Sequence, residues 1–307
     1  GQFTGSFYGD GSKILNLSSS QFSDFVGDIY SNLSSSDGIT LLHDTNNKII
    51  IGLMILVLLI ILFYNNKNYE HFSPFDNKRV VVSLTTSPLR LPLIENTLLS
   101  LQNQTRKPDL IYLNVPDYFK RNCDTYDDNK ILELINIIPI LKINKCKDIG
   151  PLTKVIPVLD IEKDPETIII VCDDDHLYNK VMIEELLKHS SKYPDKVIAN
   201  SSYTINDIKL PEGFRGVLYK RKFFDDDIKN FIEETNTYRH CYTSDDYVLG
   251  YYLNLKNIDV YIPPDFVLAY PKNYGLTGDA LHNESLPNNM RYNKCHKFIN
   301  RIVLKKE

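Results

Sequence analysis

From about residue 78 onward, short apolar runs alternate with stretches whose apolar positions recur at helical spacing. RVVVSL (79–84) is apolar and β-branched and ends in Thr85-Thr86-Ser87-Pro88, which predicts a buried strand followed by a loop. In PLIENTLLSLQNQ, residues Leu93, Ile94, Thr97, Leu98 and Leu101 fall on one helical face. LIYLNV (110–115) predicts a second strand and KILELINII (130–138) a short helix. ILKIN (140–144) predicts a third strand, and Gly150-Pro151 opens a helix expected to run to about Asp160. TIIIVC (167–172) predicts the fourth strand, VMIEELLKHSSK (181–192) the helix behind it, and KVIANSSYT (196–204) a fifth strand. Such alternation predicts an α/β fold, a mostly parallel sheet flanked by helices. Ligands of such sheets sit at the carboxyl ends of the strands.

Upstream the pattern changes. Residues 1–47 are rich in Ser, Gly, Asn and Asp, and NLSSS recurs at Asn16 and Asn32, so this part reads as a flexible low-complexity tail. The run IIIGLMILVLLIILFYNN between Lys48 and Lys67 has no charge and no polar face. A helix of that length spans roughly 27 Å, which predicts a transmembrane helix over 48–66 and a single-pass membrane protein. Residues 67–77 then read as a stalk, and 78–307 as the folded domain. Lysines and an arginine after the run lean that domain towards the cytosol, whereas sequons at Asn103, Asn200 and Asn283 lean it the other way. The side of the membrane is left open.

Composition adds limits rather than identity. With 43% hydrophobic and 24% charged residues the chain can build a sizeable core. A net charge of −4 without a basic stripe gives no case for nucleic acid as a partner. The cysteines are Cys123, Cys146, Cys172, Cys241 and Cys295, without C-x-x-C spacing, so neither a zinc site nor a full disulfide framework is signalled. A single disulfide stays open.

The candidate chemistry starts where the fourth strand ends in Asp173, Asp174 and Asp175. Like charges at a strand end repel unless a cation sits among them. Alternation puts Asp173 and Asp175 on one side and Asp174 on the other. The same-side pair could hold Mn²⁺ or Mg²⁺, which could bridge a diphosphate. The plain alternative is a solvated acidic turn at the start of the next helix.

In this order the motifs resemble a known family. VVVSLTTSPLRLPLIENTLLSLQNQTRKPDLIYLNVP resembles the opening of GT-A-fold glycosyltransferases of the family-2 type. The Asp triplet stands where that Rossmann-like fold has its Asp-x-Asp motif, and the resemblance covers about residues 79–266. It implies Asp175 and Asp173 as metal ligands, with Asp173 and Asp174 also near the nucleotide. The loop residues Thr85, Thr86, Ser87 and Arg90 are implied at the nucleotide, and Lys154 of GPLTK at a phosphate. GFRGVLYKRKFF (213–224) resembles the family's segment facing donor sugar and acceptor, with Gly213 and Gly216 allowing close approach. TSDDYVLGYY resembles its Glu-Asp motif at a helix start, implying Asp246 as catalytic base and Asp245 as second candidate. His282 of ALHNE is the implied third metal ligand, with Glu284 behind it.

Two departures stand out. Asn114 replaces the family's base-reading Asp, and the first loop lacks its usual Tyr-Asn pair. The reading that results is a membrane-anchored, metal-dependent, hexosyltransferase-like glycosyltransferase. Its donor would be a nucleotide sugar, a UDP-sugar first, and its acceptor hydroxyl would belong to a glycan, lipid or protein, with inversion favoured. The alternatives are an inactive sugar- or nucleotide-binding scaffold on the same fold, and a metal-dependent phosphotransferase.

Overall fold

Residues 78–264, 270–271 and 286–303 are described by the structure, a computed structural model, and they lie in the second of two units, Pro74–Glu307. The first half runs β1 (Val80–Thr85), α1 (Glu95–Gln102), β2 (Leu110–Pro116), α2 (Asp128–Ile137) and β3 (Leu141–Cys146). A 3-10 turn at Leu152–Lys154 leads to α3 (Val158–Ile161) and β4 (Ile168–Val171). The second half continues with β5 (His176–Leu177), α4 (Met182–Lys192), β6 (Val197–Ala199), β7 (Ser202–Ile205), β8 (Ile208–Pro211) and β9 (Val217–Lys220). It closes with α5 (Asp227–Thr235), α6 (Arg239–Tyr242), α7 (Asp245–Leu255), β10 (Val260–Tyr261), β11 (Tyr270–Pro271) and α8 (Asn288–Val303).

The main sheet has the order β10-β6-β9-β4-β1-β2-β3. Neighbouring strands are parallel except around β9, which is antiparallel to both β4 and β6. The chain thus leaves β1 for β2 and β3 on one side, then returns to place β4 on the other. This reversal leaves a crevice at the carboxyl ends of β1 and β4, the usual ligand position in an open α/β sheet. The fold class expected from the sequence is present as a Rossmann-like, mostly parallel sheet flanked by helices.

The strands are apolar on both faces because both faces are covered. Val80, Val82 and Leu84 pack with Ile111, Leu113, Ile168 and Ile170 under α1, α2 and α4. Val81, Ile169, Val171, Val217 and Tyr219 face the other way, towards α5, α7 and α8. Each fully buried aliphatic side chain here contributes about 1.5–3 kcal/mol relative to exposure. On α4, Met182, Ile183, Leu186 and Leu187 are buried while Glu184 and Lys188 are exposed, the expected amphipathic face.

Three expectations change. The helix expected from Gly150 to Asp160 is broken into the 3-10 turn and α3, because Pro157 lacks the N–H that a continuous helix would use. The expected fifth strand stops at Ala199, and its remainder becomes β7, paired antiparallel with β8. The expectation of a single-pass membrane protein is corrected. Among the described residues no helix is long and apolar enough to cross a membrane, and the run at 48–66 on which it rested lies outside the described residues. One disulfide does form, between Cys241 on α6 and Cys295 on α8.

Candidate functional site

The loop after β1 and the Asp triplet after β4 meet at the crevice. Asp174 turns inward and is the most buried of the three, its side chain 6% exposed against 30% for Asp173 and 23% for Asp175. Its Oδ2 accepts the Thr86 hydroxyl at 2.6 Å, and Arg90 Nη1 lies 3.1 Å from its Oδ1. Burial pushes the Asp174 carboxyl up to about 6 in spite of the Arg90 cation. Asp175 Oδ2 lies 2.5 Å from Arg90 Nη2 and its Oδ1 2.6 Å from His176 Nδ1. Burial would raise this carboxyl, but the His176 bond and the Arg90 charge hold it at about 2. One guanidinium thus separates two of the like charges that the sequence sets side by side. The Thr85 hydroxyl, from the same loop, donates to the Asn114 carbonyl at 2.8 Å.

Lys154 links this cluster to the second acidic motif. Its buried ammonium lies 2.7 Å from Asp173 Oδ1 and 2.7 Å from Asp245 Oδ2. Burial would lower its pKa, yet the Asp173 and Asp245 carboxylates hold it well above the ordinary lysine value. Gly213 makes room for this arrangement, since a Cβ there would sit 2.6 Å from Lys154 Nζ. Its N–H donates to Asp246 Oδ1 at 3.3 Å. Burial first, then the neighbouring Asp245 charge, pushes the Asp246 carboxyl well above the usual carboxylate range. Gly216 has φ +90°, a conformation side chains avoid, and a Cβ there would meet Met182 Sδ at 2.7 Å.

Both aspartates occupy the first turn of α7, where the helix dipole favours negative charge. Ser244 stands at the N-cap but makes no capping bond, and the Thr243 hydroxyl donates back to Arg239 O. Capping therefore does not account for this segment's polar residues.

These groups line one cavity of about 280 Å³, near the lower end of ligand sites, roughly 300–1,000 Å³. The structure brings together Thr85, Thr86, Ser87, Arg90 and Lys154 with Asp173–Asp175, Asp245 and Asp246. It also adds residues that sequence reasoning missed. Arg121 lines the cavity from the loop after β2, with its guanidinium 4.9 Å above the Phe119 ring. Asn288, Arg291 and Tyr292 enter from the first turns of α8. Arg291 is 4% exposed; its Nη2 donates to Asn288 Oδ1, while Nε and Nη1 have no hydrogen-bond partner among the described residues. The Ser87 hydroxyl, also buried, has none either. A signal for Arg291 does exist: it lies one turn before Cys295 on the face that buries Tyr292, Cys295 and Ile299.

No family model matches the chain, and no curated protein matches it. Among solved structures, S. aureus TarS residues 1–349 in complex with UDP is similar at 15% identity and a TM-score of 0.39, over 73% of this chain and 71% of that one. A second S. aureus TarS structure gives 14% identity and a TM-score of 0.43, over 73% of this chain and 43% of that one. A 4-diphosphocytidyl-2C-methyl-D-erythritol synthase gives 10% and 0.38, over 61% of this chain and 89% of that one. Likenesses of this size decide neither fold nor activity.

The metal expected at Asp173 and Asp175 meets a donor set already engaged. Lys154 holds Asp173, while Arg90 and His176 take both oxygens of Asp175. Among the described residues no group of three or more His, Cys, Asp or Glu side chains is placed to hold a metal ion. The described donor set therefore does not fit Mn²⁺ or Mg²⁺ in this arrangement. His282, the expected third ligand, and Glu284 lie outside the described residues. Asn114 is fully buried, donates to Ser83 Oγ at 2.9 Å and accepts from Asn144 Nδ2 at 2.8 Å. It ties β1, β2 and β3 together and does not reach the cavity to read a base.

Proposed function

We propose that the chain is a glycosyltransferase that moves a sugar from a nucleotide-sugar donor to an acceptor hydroxyl with inversion at the anomeric carbon. The observation that carries this reading is Asp246: a carboxylate lining the crevice cavity, oriented by the Gly213 N–H and with a raised pKa. A carboxylate whose pKa moves towards the working pH becomes a better proton acceptor. In the displacement the acceptor oxygen forms a bond to the anomeric carbon while its proton passes to Asp246. The carbon–oxygen bond to the diphosphate breaks, and the diphosphate leaves with the electron pair. Asp245 is the second candidate base, but its Oδ2 is engaged by the Lys154 ammonium at 2.7 Å and is not free to meet an acceptor hydroxyl.

Lys154 has a positioning role in this scheme. By bridging Asp173 and Asp245 it holds the start of α7 against the end of β4, and so sets where Asp246 stands. No step passes through a metal ion, because the described donor set does not fit one. The test is turnover of a panel of uridine, guanosine, cytidine, adenosine and thymidine diphosphate sugars by the full chain, read as release of nucleoside diphosphate. Release from one base series is expected. Binding of a nucleotide sugar without release from any donor or acceptor tried would point to the inactive scaffold.

A further inference from the structure

The cavity holds more hydrogen-bond donors than its own carboxylates use. Arg291 is buried to 4% exposure, and a guanidinium taken from water with two N–H-bearing nitrogens unmatched is costly unless a ligand completes it. It projects from the first turn of α8, a helix of 16 residues whose dipole favours an anion at this end. The Ser87 hydroxyl, 3% exposed and also unmatched, lines the same cavity. Around them, each triplet carboxylate already has a cation beside it, Arg90 at Asp174 and Asp175 and Lys154 at Asp173, so Arg291 is not consumed by them.

We propose that Arg291 is the diphosphate anchor of this site, neutralising the leaving group in the place where a metal-dependent transferase uses a divalent cation. The inference rests on the nucleotide-sugar reading above and names how that donor is held. A guanidinium presents parallel N–H groups that match phosphate oxygens two at a time, and it needs no oxygen ligand from the protein. The Ser87 hydroxyl adds a donor from the β1 loop. The leaving diphosphate is thus met by a fixed cation and the N-terminal turn of α8, and binding is independent of Mn²⁺ or Mg²⁺.

The test uses the full chain and inorganic pyrophosphate, a probe that needs no nucleoside, titrated calorimetrically in EDTA and again in MnCl₂. Pyrophosphate should bind in EDTA, with an affinity that Mn²⁺ does not improve beyond its own chelation of the probe. Arg291→Met should weaken binding roughly 10- to 100-fold, and Arg291→Lys, which keeps the charge but loses the fork, should fall between. Because the mutation removes a buried unmatched group, the ligand-free Arg291→Met protein should melt no lower than the wild type. Binding that requires Mn²⁺, unchanged affinity in Arg291→Met, or an Arg291→Met protein that melts lower or does not fold would each overturn the proposal. Pyrophosphate bound through Arg291 by a chain that turns over no nucleotide sugar would leave the anion site standing and remove the transferase reading.

Discussion

Asp246 and Arg90 show how far single residues could be read before folding. Alternation along an extended strand end separates Asp174 from Asp173 and Asp175, and the structure does bury Asp174 while leaving the other two partly exposed. What alternation cannot supply is the identity of the cation among them, because Arg90 and Lys154 arrive from other parts of the chain. The sequence suggested a metal for that place; the fold fills it with a guanidinium and an ammonium. Asp246 carries the prediction that belongs at this scale. Its carboxyl is raised by burial and by Asp245, and only the ionised form can take a proton. Activity should therefore fall as pH drops through that raised pKa, with the acid limb lying above the usual carboxylate range. A pH profile of kcat/KM checks this, since that limb reports the free protein. A flat profile down to about pH 4 would remove Asp246 from the role.

At the scale of elements, the strands were the most legible part. Uninterrupted apolar, β-branched runs such as Val80–Val82 and Ile168–Val171 read as strands buried on both faces, and each is fully or almost fully buried. The break at Pro157 was missed although its missing N–H is a signal in the sequence, and the reversal of β9 left no such signal. That reversal follows the β7–β8 hairpin, whose first strand reads locally as the continuation of β6. Least legible was α8, which supplies Arg291 to the site. It is tied down by the Cys241–Cys295 disulfide, with both cysteines fully buried and a sequence separation of 54. Closing a loop of that size stabilises a fold by about 3–5 kcal/mol. The Cys241→Ala/Cys295→Ala double variant should accordingly melt about 6–20 °C lower, as read by scanning calorimetry. A melting temperature equal to that of the wild type would mean that packing of Tyr292 and Ile299 alone holds α8 in place.

The whole molecule places its chemistry where the sheet changes direction. β1 lies between β2 and β4, so the loops that leave β1 and β4 open into the same crevice, and α7 and α8 close it from the other core. The two acidic motifs lie far apart in the sequence, and a single ammonium, Lys154, joins them. The resemblance in motif order pointed to both motifs, but their meeting through Lys154 is a property of the fold alone. The most direct measurement of the central claim compares wild type and Asp246→Asn on one nucleotide-sugar donor, with donor affinity and turnover measured side by side. The substitution keeps the shape and removes the basic carboxylate. The account predicts donor affinity within about threefold of the wild type and turnover lowered roughly 10²-fold or more. An Asp246→Asn protein that transfers sugar at the wild-type rate would contradict it.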